Sequence, residues 1–520
     1  MNRTLIIFAI LVSSLAFHGT ASAQTFGKGE FQIEILSGRG IQIQYRTGGG
    51  QWQNQGTWSE QLGGTYGQGT RVEVSNGREL TRAVDEAAEG TTIWLREGLY
   101  NISSSLVIDK SISLIAKSKD FTKTVIESDG DNCLIVGYGQ PAFVGIKFRC
   151  NSSQGSAAVV IRNEGSPTFA YCAIEAPRSS GVAIRGVDAN AIFKHCRISR
   201  CLNTGVRISE RGRGTFENCE IFDVTSTSGV VFSVGSDSNA VVKRSKIHSG
   251  AQYGINIDGG SGTFESVDVY GNKATGVCLR NGSNPTFKNC KIYNNARNKE
   301  GNFGGVTVIS GARGTFDNCS VYGNKHGYLV VGENSNPRVS SGTVRDNQEN
   351  GIYVYSNGSG IFDRVTVTSN SIGYRVVSGG NPRVSGGIVS DTKGLAGIAI
   401  SGRGRGTYEN VRIVTNRQRG VDVRNGGMGT FTGCTIEGNQ EAGMAVTKVG
   451  SANTAGTPGD PVVRNCTFRN NMNGSITVWR GGKGTYGPNV FSGNRFRSGT
   501  GNANVPSIDN ESRQAGARVI

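Results

Sequence analysis

One segment, in its fullest form Gly-Thr-Phe-x-x-Cys-x-Ile, returns at spacings of mostly 22 to 24 residues through the greater part of the chain. A fixed period of this length confines the fold to a solenoid or a propeller. The clearest copies are PTFAYCAI from Pro167, GTFENCEI from Gly214, PTFKNCKI from Pro285, GTFDNCSV from Gly314 and GTFTGCTI from Gly429; PRVSSGTV from Pro337 and GTYENVRI from Gly406 are worn versions. Each unit also carries a Gly-Val-x-Ile signature, as at Gly205-Val206, Gly254-Ile255, Gly305-Val306, Gly351-Ile352 and Gly420-Val421. Units built from short strands between Gly, Asn and Ser, with no helix, exclude ankyrin and tetratricopeptide repeats. Core positions filled by Val, Ile, Phe and Cys speak against leucine-rich repeats. Glycine, 78 of 520 residues, is about twice its usual share and supplies the turns.

Alternation sets the direction of each side chain. In GTFENCEI, Phe216 points in and Glu217 out; a corner near Asn218 resets the phase, so that Cys219 and Ile221 point in and Glu220 out. Three strands per coil predict an all-β, single-stranded, right-handed parallel β-helix of about fifteen rungs with a short N-terminal capping helix. Cys172, Cys196, Cys219, Cys290, Cys319, Cys434 and Cys466 share one inward slot and read as buried thiols, with disulfides between neighbouring rungs as the alternative. Cys133, Cys150, Cys201 and Cys278 fall outside it. Asn272, Asn324, Asn347, Asn370, Asn416 and Asn439 recur before the third strand, placed to hydrogen-bond along the stack. Two outward columns, Lys194, Glu217, Lys243, Glu265, Lys288, Asp317 and Arg197, Glu220, Lys246, Asp268, Lys291, alternate in sign, as charge ladders that oppose register slips would.

The ends differ from the repeat. Residues 1–23 read as a secretory signal, with an apolar run from Leu5 to Ala16 and an Ala-Ser-Ala ending at Ala23. Residues 24–73 form a Gly/Gln-rich β module or arm, in which FQIEIL and IQIQYR read as a hairpin. The β-helix is expected over 74–496. It opens on a helix from Asn76 to Glu89 that is capped by Asn76, carries Glu79 in a capping box, and has Leu80, Ala83, Val84, Ala87 and Ala88 as its apolar stripe. Residues 497–520 read as a flexible tail. Two rungs carry insertions, Asn294 to Gly304 and Lys448 to Asp460, where a rigid solenoid often shapes a binding face. After the signal no stretch is apolar for long enough to span a membrane, so a secreted or periplasmic location is expected.

The opening ELTRAVDEAAEGTTIWLREGLYNISSSLVIDKSISLIA resembles the start of pectin-lyase-like β-helices. The segments NPRVSSGTVRDNQENGIYV and GSGIFDRVTVTSNSIGYRV resemble the repeats of carbohydrate-binding proteins, sugar hydrolases and the β-helical part of F-box proteins. The resemblance spans roughly Val74 to Phe496 and implies the fold. Its matching positions are core and turn positions, so it implies no particular activity. The DPHD motif of alginate epimerases is absent, as are the paired-Asp and Gly-His-Gly segments of polygalacturonases and the arginine and aspartate motifs of pectate lyases. Relatives linked to copper delivery raise a metal reading. His195, His248 and His326 lie on three different rungs without ligand spacing, so neither a metal nor a cofactor is expected.

Function is sought on residues that the scaffold leaves unexplained. Asp258 and Asp422 lie seven rungs apart on the third face, about 34 Å at strand spacing, too far for a glycosidase pair at about 5 to 9.5 Å. On that face four consecutive rungs present Ile309, then Leu329 and Val331, then Tyr353 and Tyr355, then Arg375 and Val377, where polar residues are expected. Tyrosines beside an arginine suit a sugar ring and its carboxylate or sulfate, and Asp422 and Arg424 extend the face. Leu329, Tyr353, Tyr355, Arg375, Asp422 and Arg424 are therefore the candidate ligand-binding residues. A covering loop, or self-association through the apolar patch, would explain the same residues. The formal charge of +16 favours an anionic partner. The leading expectation is non-catalytic binding of acidic polysaccharide or another anionic cell-surface glycan, with no specific nucleic acid partner. A lyase or epimerase acting on uronate polymers and a structural or protein-binding surface rod are the alternatives.

Overall fold

The computed structural model describes residues 70–495, apart from 119, 298–299, 449–456 and 480, together with the backbone of strands within 24–57 and at 517–519. The signal expected over 1–23 lies outside the described residues, as does most of the tail. Strands Gly29–Leu36 and Gly40–Thr47 pair antiparallel, Ile35 opposite Ile41, as the alternation predicts. Ala517–Val519 pairs in parallel with Gly484–Tyr486, an element absent from the sequence reading. No helix among the described residues is long and apolar enough to cross a membrane.

Two compact units divide the chain, Met1–Ser199 and Arg200–Ile520. In the first, helix Gly77–Glu86 begins where Asn76 accepts from the Glu79 N–H at 3.0 Å. Glu79 returns the bond to the Ser75 N–H at 2.8 Å, one residue earlier than a strict capping box. Leu80, Ala83 and Val84 are buried. The helix starts so close to strand Gly98–Ile102 that a Cβ on Gly77 would meet the Asn101 carbonyl, which is why glycine stands there. Each following turn contributes three short strands to three parallel sheets. Phe143, Phe169 and Phe193 stack inside at 4.7 and 4.6 Å between ring centroids.

The second unit repeats this plan. The first sheet takes the Thr-Phe strand, the second the Cys-x-Ile strand and the third the Gly-Val-x-Ile strand. Between the first two, Asn218, Asn289 and Asn318 adopt φ of 52°, 54° and 50°. Asparagine tolerates this left-handed conformation, and one such residue per turn makes the corner that the sequence located. Cys219 and Cys319 are buried, so the inward and outward positions are phased as predicted; all eleven cysteines are buried thiols.

The asparagine column is a continuous ladder. Asn272, Asn295, Asn324, Asn347 and Asn370 are buried, and each of the first four donates its amide to the next at 2.9 to 3.2 Å. Thr392 stands in the column next and donates to Asn416; the amides then run from Asn416 through Asn439 and Asn471 to Asn494. The ladder explains the Gly-Val-x-Ile glycine. A Cβ on Gly351 would lie 2.8 Å from the Asn370 amide and 2.8 Å from the Gly373 carbonyl. The backbone has to pass within van der Waals reach of the amides, so two sequence signatures express one packing constraint.

Two expectations are corrected. About eighteen turns form rather than fifteen, because the earliest turns lack the motif: in Ser113–Ala116, Leu114 stands where later turns carry Phe. The charge columns are in register, Glu217 beside Lys243 and Lys243 beside Glu265. Glu217, however, pairs with Arg244 at the corner. Lys243 makes no ion pair among the described residues, whereas the corner brings Arg244 onto the buried carboxylate.

Candidate functional site

The third sheet of the second unit brings the candidate residues together. Its outward column runs in register through Leu329, Tyr353, Arg375, Ala399, Asp422, Ala445 and Thr477. Beside it lies a second column, with Val331 against Tyr355, Arg424 against Thr447 and Thr447 against Trp479. Tyr353 stacks on Tyr355 at 4.6 Å between centroids, and the Arg375 guanidinium lies 5.2 Å from the Tyr353 ring. Arg375 is exposed, and among the described residues it makes no ion pair. A recess at the neighbouring turns is lined by Asn357, Ser378, Gly379, Gly402, Arg403 and Arg405. Both of its arginines are exposed and likewise unpaired among the described residues.

The structure alters the expectation for two candidates. Leu329, predicted to be exposed, is 1% exposed. The insertion ends at Gly304, whose Cα is close enough that a Cβ there would sit 3.2 Å from that of Leu329; Asn302 of the same insertion donates to the Tyr355 hydroxyl at 3.5 Å. The insertion of the preceding turn thus covers one end of the face, and Leu329 is part of its floor. Asp422 does lie on the outward side, but it is fully buried. Arg419 reaches its Oδ1 at 2.5 Å, Arg424 its Oδ2 at 3.2 Å, and Arg419 also holds Glu441 at 3.2 Å and packs over the Trp479 ring. Asp422 anchors two arginines and is closed to a ligand. Asp258, the other unexplained carboxylate, is paired with Arg280 at 3.2 Å.

In the sequence His326 is an isolated histidine that no local pattern marks. It is fully buried next to Tyr353, with ring centroids 5.6 Å apart; its Nδ1 lies 3.1 Å from the Asn350 amide and its Nε2 3.5 Å from Glu349. Burial, with Lys325 and Arg375 nearby, pushes its pKa down to about 4. The depressed value fixes the sign of a pH effect. The imidazole contributes stability that is complete above about pH 6.5, where an unfolded histidine is also neutral, and that is lost as pH falls toward 4. Thermal unfolding should shift down by several degrees across that window, and His326→Gln should flatten the trend. An unchanged slope in the variant would assign the effect to Glu349 or another neighbour.

A second outward aromatic row lies on the second sheet. Phe222, His248, Tyr270, Tyr293 and Tyr322 stack at 4.5 to 5.1 Å, and Arg345 closes the row over Tyr322 at 4.4 Å. The rings there stack face to face, so the row stabilises the stack of turns.

The fold and face together define a parallel β-solenoid with an arginine-lined strip along one sheet. The chain belongs to the right handed beta helix region family, whose model matches residues 132–240, 228–389 and 363–511. Similar solved structures include the PL6 family alginate lyase AlyGC, at 11% identity over 81% of this chain and 89% of that chain with a TM-score of 0.41. Pectate lyase Pel9A is 13% identical over 63% of this chain and 78% of that chain, with a TM-score of 0.32. The A-module of the Azotobacter vinelandii mannuronan C-5 epimerase AlgE4 is 14% identical over 83% and 100%, with a TM-score of 0.29.

Proposed function

We propose that this is an extracytoplasmic protein that binds acidic polysaccharide along the third sheet, without chemical turnover. One observation carries the reading: Tyr353 and Arg375 sit on adjacent turns, followed by small floor residues Ala399 and Ala445, with Arg403, Arg405 and Arg424 along the same edge. Turns repeat at about 4.8 Å, close to the length of one pyranose in an extended chain, so successive carboxylates of a uronate polymer can meet successive turns. Arg375 supplies the charge-assisted contact, Tyr353 and Tyr355 the apolar surface, and Leu329 supports them from below. The net charge of +16 adds a long-range attraction that salt weakens.

The test is retention on immobilised polyuronate, compared with a neutral glucan column. Tyr353→Ala/Arg375→Ala is expected to weaken binding by about 10- to 100-fold, the size of one charge-assisted bond and one aromatic contact. Arg403→Ala/Arg405→Ala should weaken it less and reduce its salt dependence. Retention unchanged in the first variant rejects the site, and unsaturated uronate products in the same incubations reject binding without turnover. Concentration-dependent self-association that the Tyr353 variant abolishes would point to the apolar patch as an interface.

A further inference from the structure

The two insertions share a feature that neither the fold nor the binding face uses. Cys290 and Cys319 are separated by 29 residues and Cys434 and Cys466 by 32, against 22 to 24 for a plain turn; these two turns are the ones that carry the insertions. Within each pair the cysteines are directly opposite on adjacent turns. Lys288 pairs with Asp317 and Lys291 with Ser320 around the first, and Thr432 pairs with Arg464 and Thr435 with Thr467 around the second. Parallel neighbours of this kind have Cα atoms about 4.8 Å apart, inside the range of roughly 4.4 to 6.8 Å that a disulfide spans. All four side chains point inward and are at most 2% exposed.

We propose that Cys290 with Cys319, and Cys434 with Cys466, are disulfide sites that close the two lengthened turns when the chain folds in contact with a disulfide oxidant. Each thiol donates to backbone carbonyls, Cys290 to Phe264 at 3.3 Å and Cys319 to Phe287 at 3.6 Å, and the neighbouring sulfur of each pair favours the thiolate at Cys290 and Cys466 and opposes it at Cys319 and Cys434. The chemistry balances by exchange. The Cys290 thiolate attacks the oxidant's disulfide and expels one thiolate, which takes the Cys319 proton. Cys319 sulfur then displaces the second oxidant sulfur, so the pair loses two hydrogens and the oxidant becomes two thiols. Cys466 and Cys434 follow in the same order. The first bond would hold the turn whose Asn302 reaches Tyr355; the second would hold the turn whose Thr457 carbonyl accepts from Gly426 N–H at 2.9 Å. Cys172 and Cys196 also lie one turn apart, but their turn has no insertion.

The test refolds the full chain with oxidised and reduced glutathione, then denatures and alkylates it without reductant. Peptides joining Cys290 to Cys319 and Cys434 to Cys466 are expected, both lost on reduction, with alkylation reaching seven of the eleven cysteines. Alkylation of all eleven overturns the proposal, as does linkage through Cys172, Cys196 or Cys219 in place of these pairs. Because the oxidant is supplied, the outcome is independent of the export and glycan-binding readings.

Discussion

Asn347→Leu is expected to cost about 3 to 4 kcal/mol of stability, although the new side chain is apolar, of similar size and fully enclosed. Asn347 Oδ1 accepts from the Asn324 N–H at 3.0 Å and from its amide at 3.2 Å, while its own amide donates to Asn370 at 2.9 Å and to the Val321 carbonyl at 3.4 Å. Leucine satisfies none of these groups. The Asn324 N–H loses its partner where water does not reach, and a single buried orphan of that kind costs about 1 to 3 kcal/mol. Asn347→Thr should cost much less, since Thr392 already fills this slot with a hydroxyl that bonds the next asparagine at 2.8 Å. Urea midpoints at neutral pH would compare the two. Equal losses would mean that packing, not amide bonding, holds the column.

Asp422→Ala should destabilise by about 3 to 5 kcal/mol, the range for breaking a buried ion pair by removing one partner. Its carboxylate is enclosed and neutralises Arg419 and Arg424; without it Arg419 keeps Glu441, but Arg424 has no other carboxylate partner among the described residues. The same substitution bears on function with the opposite sign. It adds positive charge to a face read as binding anions, so the folded variant should hold polyuronate at least as tightly as the parent. Thermal unfolding combined with column retention separates the roles. A variant that stays stable but loses binding would return Asp422 to the ligand site.

The candidate face was partly legible because strand alternation and repeat spacing are local quantities. Counting by twos places Tyr353, Tyr355, Arg375 and Arg424 outside, and aligning the repeats sets Tyr353 beside Arg375, as the register has them. Burial was not legible, because it depends on what else arrives. Leu329 is covered by an insertion from the preceding turn, and Asp422 is enclosed by arginines three residues before it and two after it whose direction no period specifies. His326 appeared isolated because Asn350 and Glu349, its neighbours, lie a full turn away in sequence.

By itself the sequence determined the repeat, the three strands of each turn, the asparagine column and which side chains face inward, since each follows from short-range periodicity and the size of the side chain. Only the tertiary structure decided the number of turns, the closure of Asp422 and Leu329, the stacked aromatic row and the coincidence of paired thiols with lengthened turns. Apart from the two arginines beside Asp422, whose direction no period specifies, these depend on contacts between residues twenty or more positions apart, where enclosure and charge pairing are properties of the assembled stack.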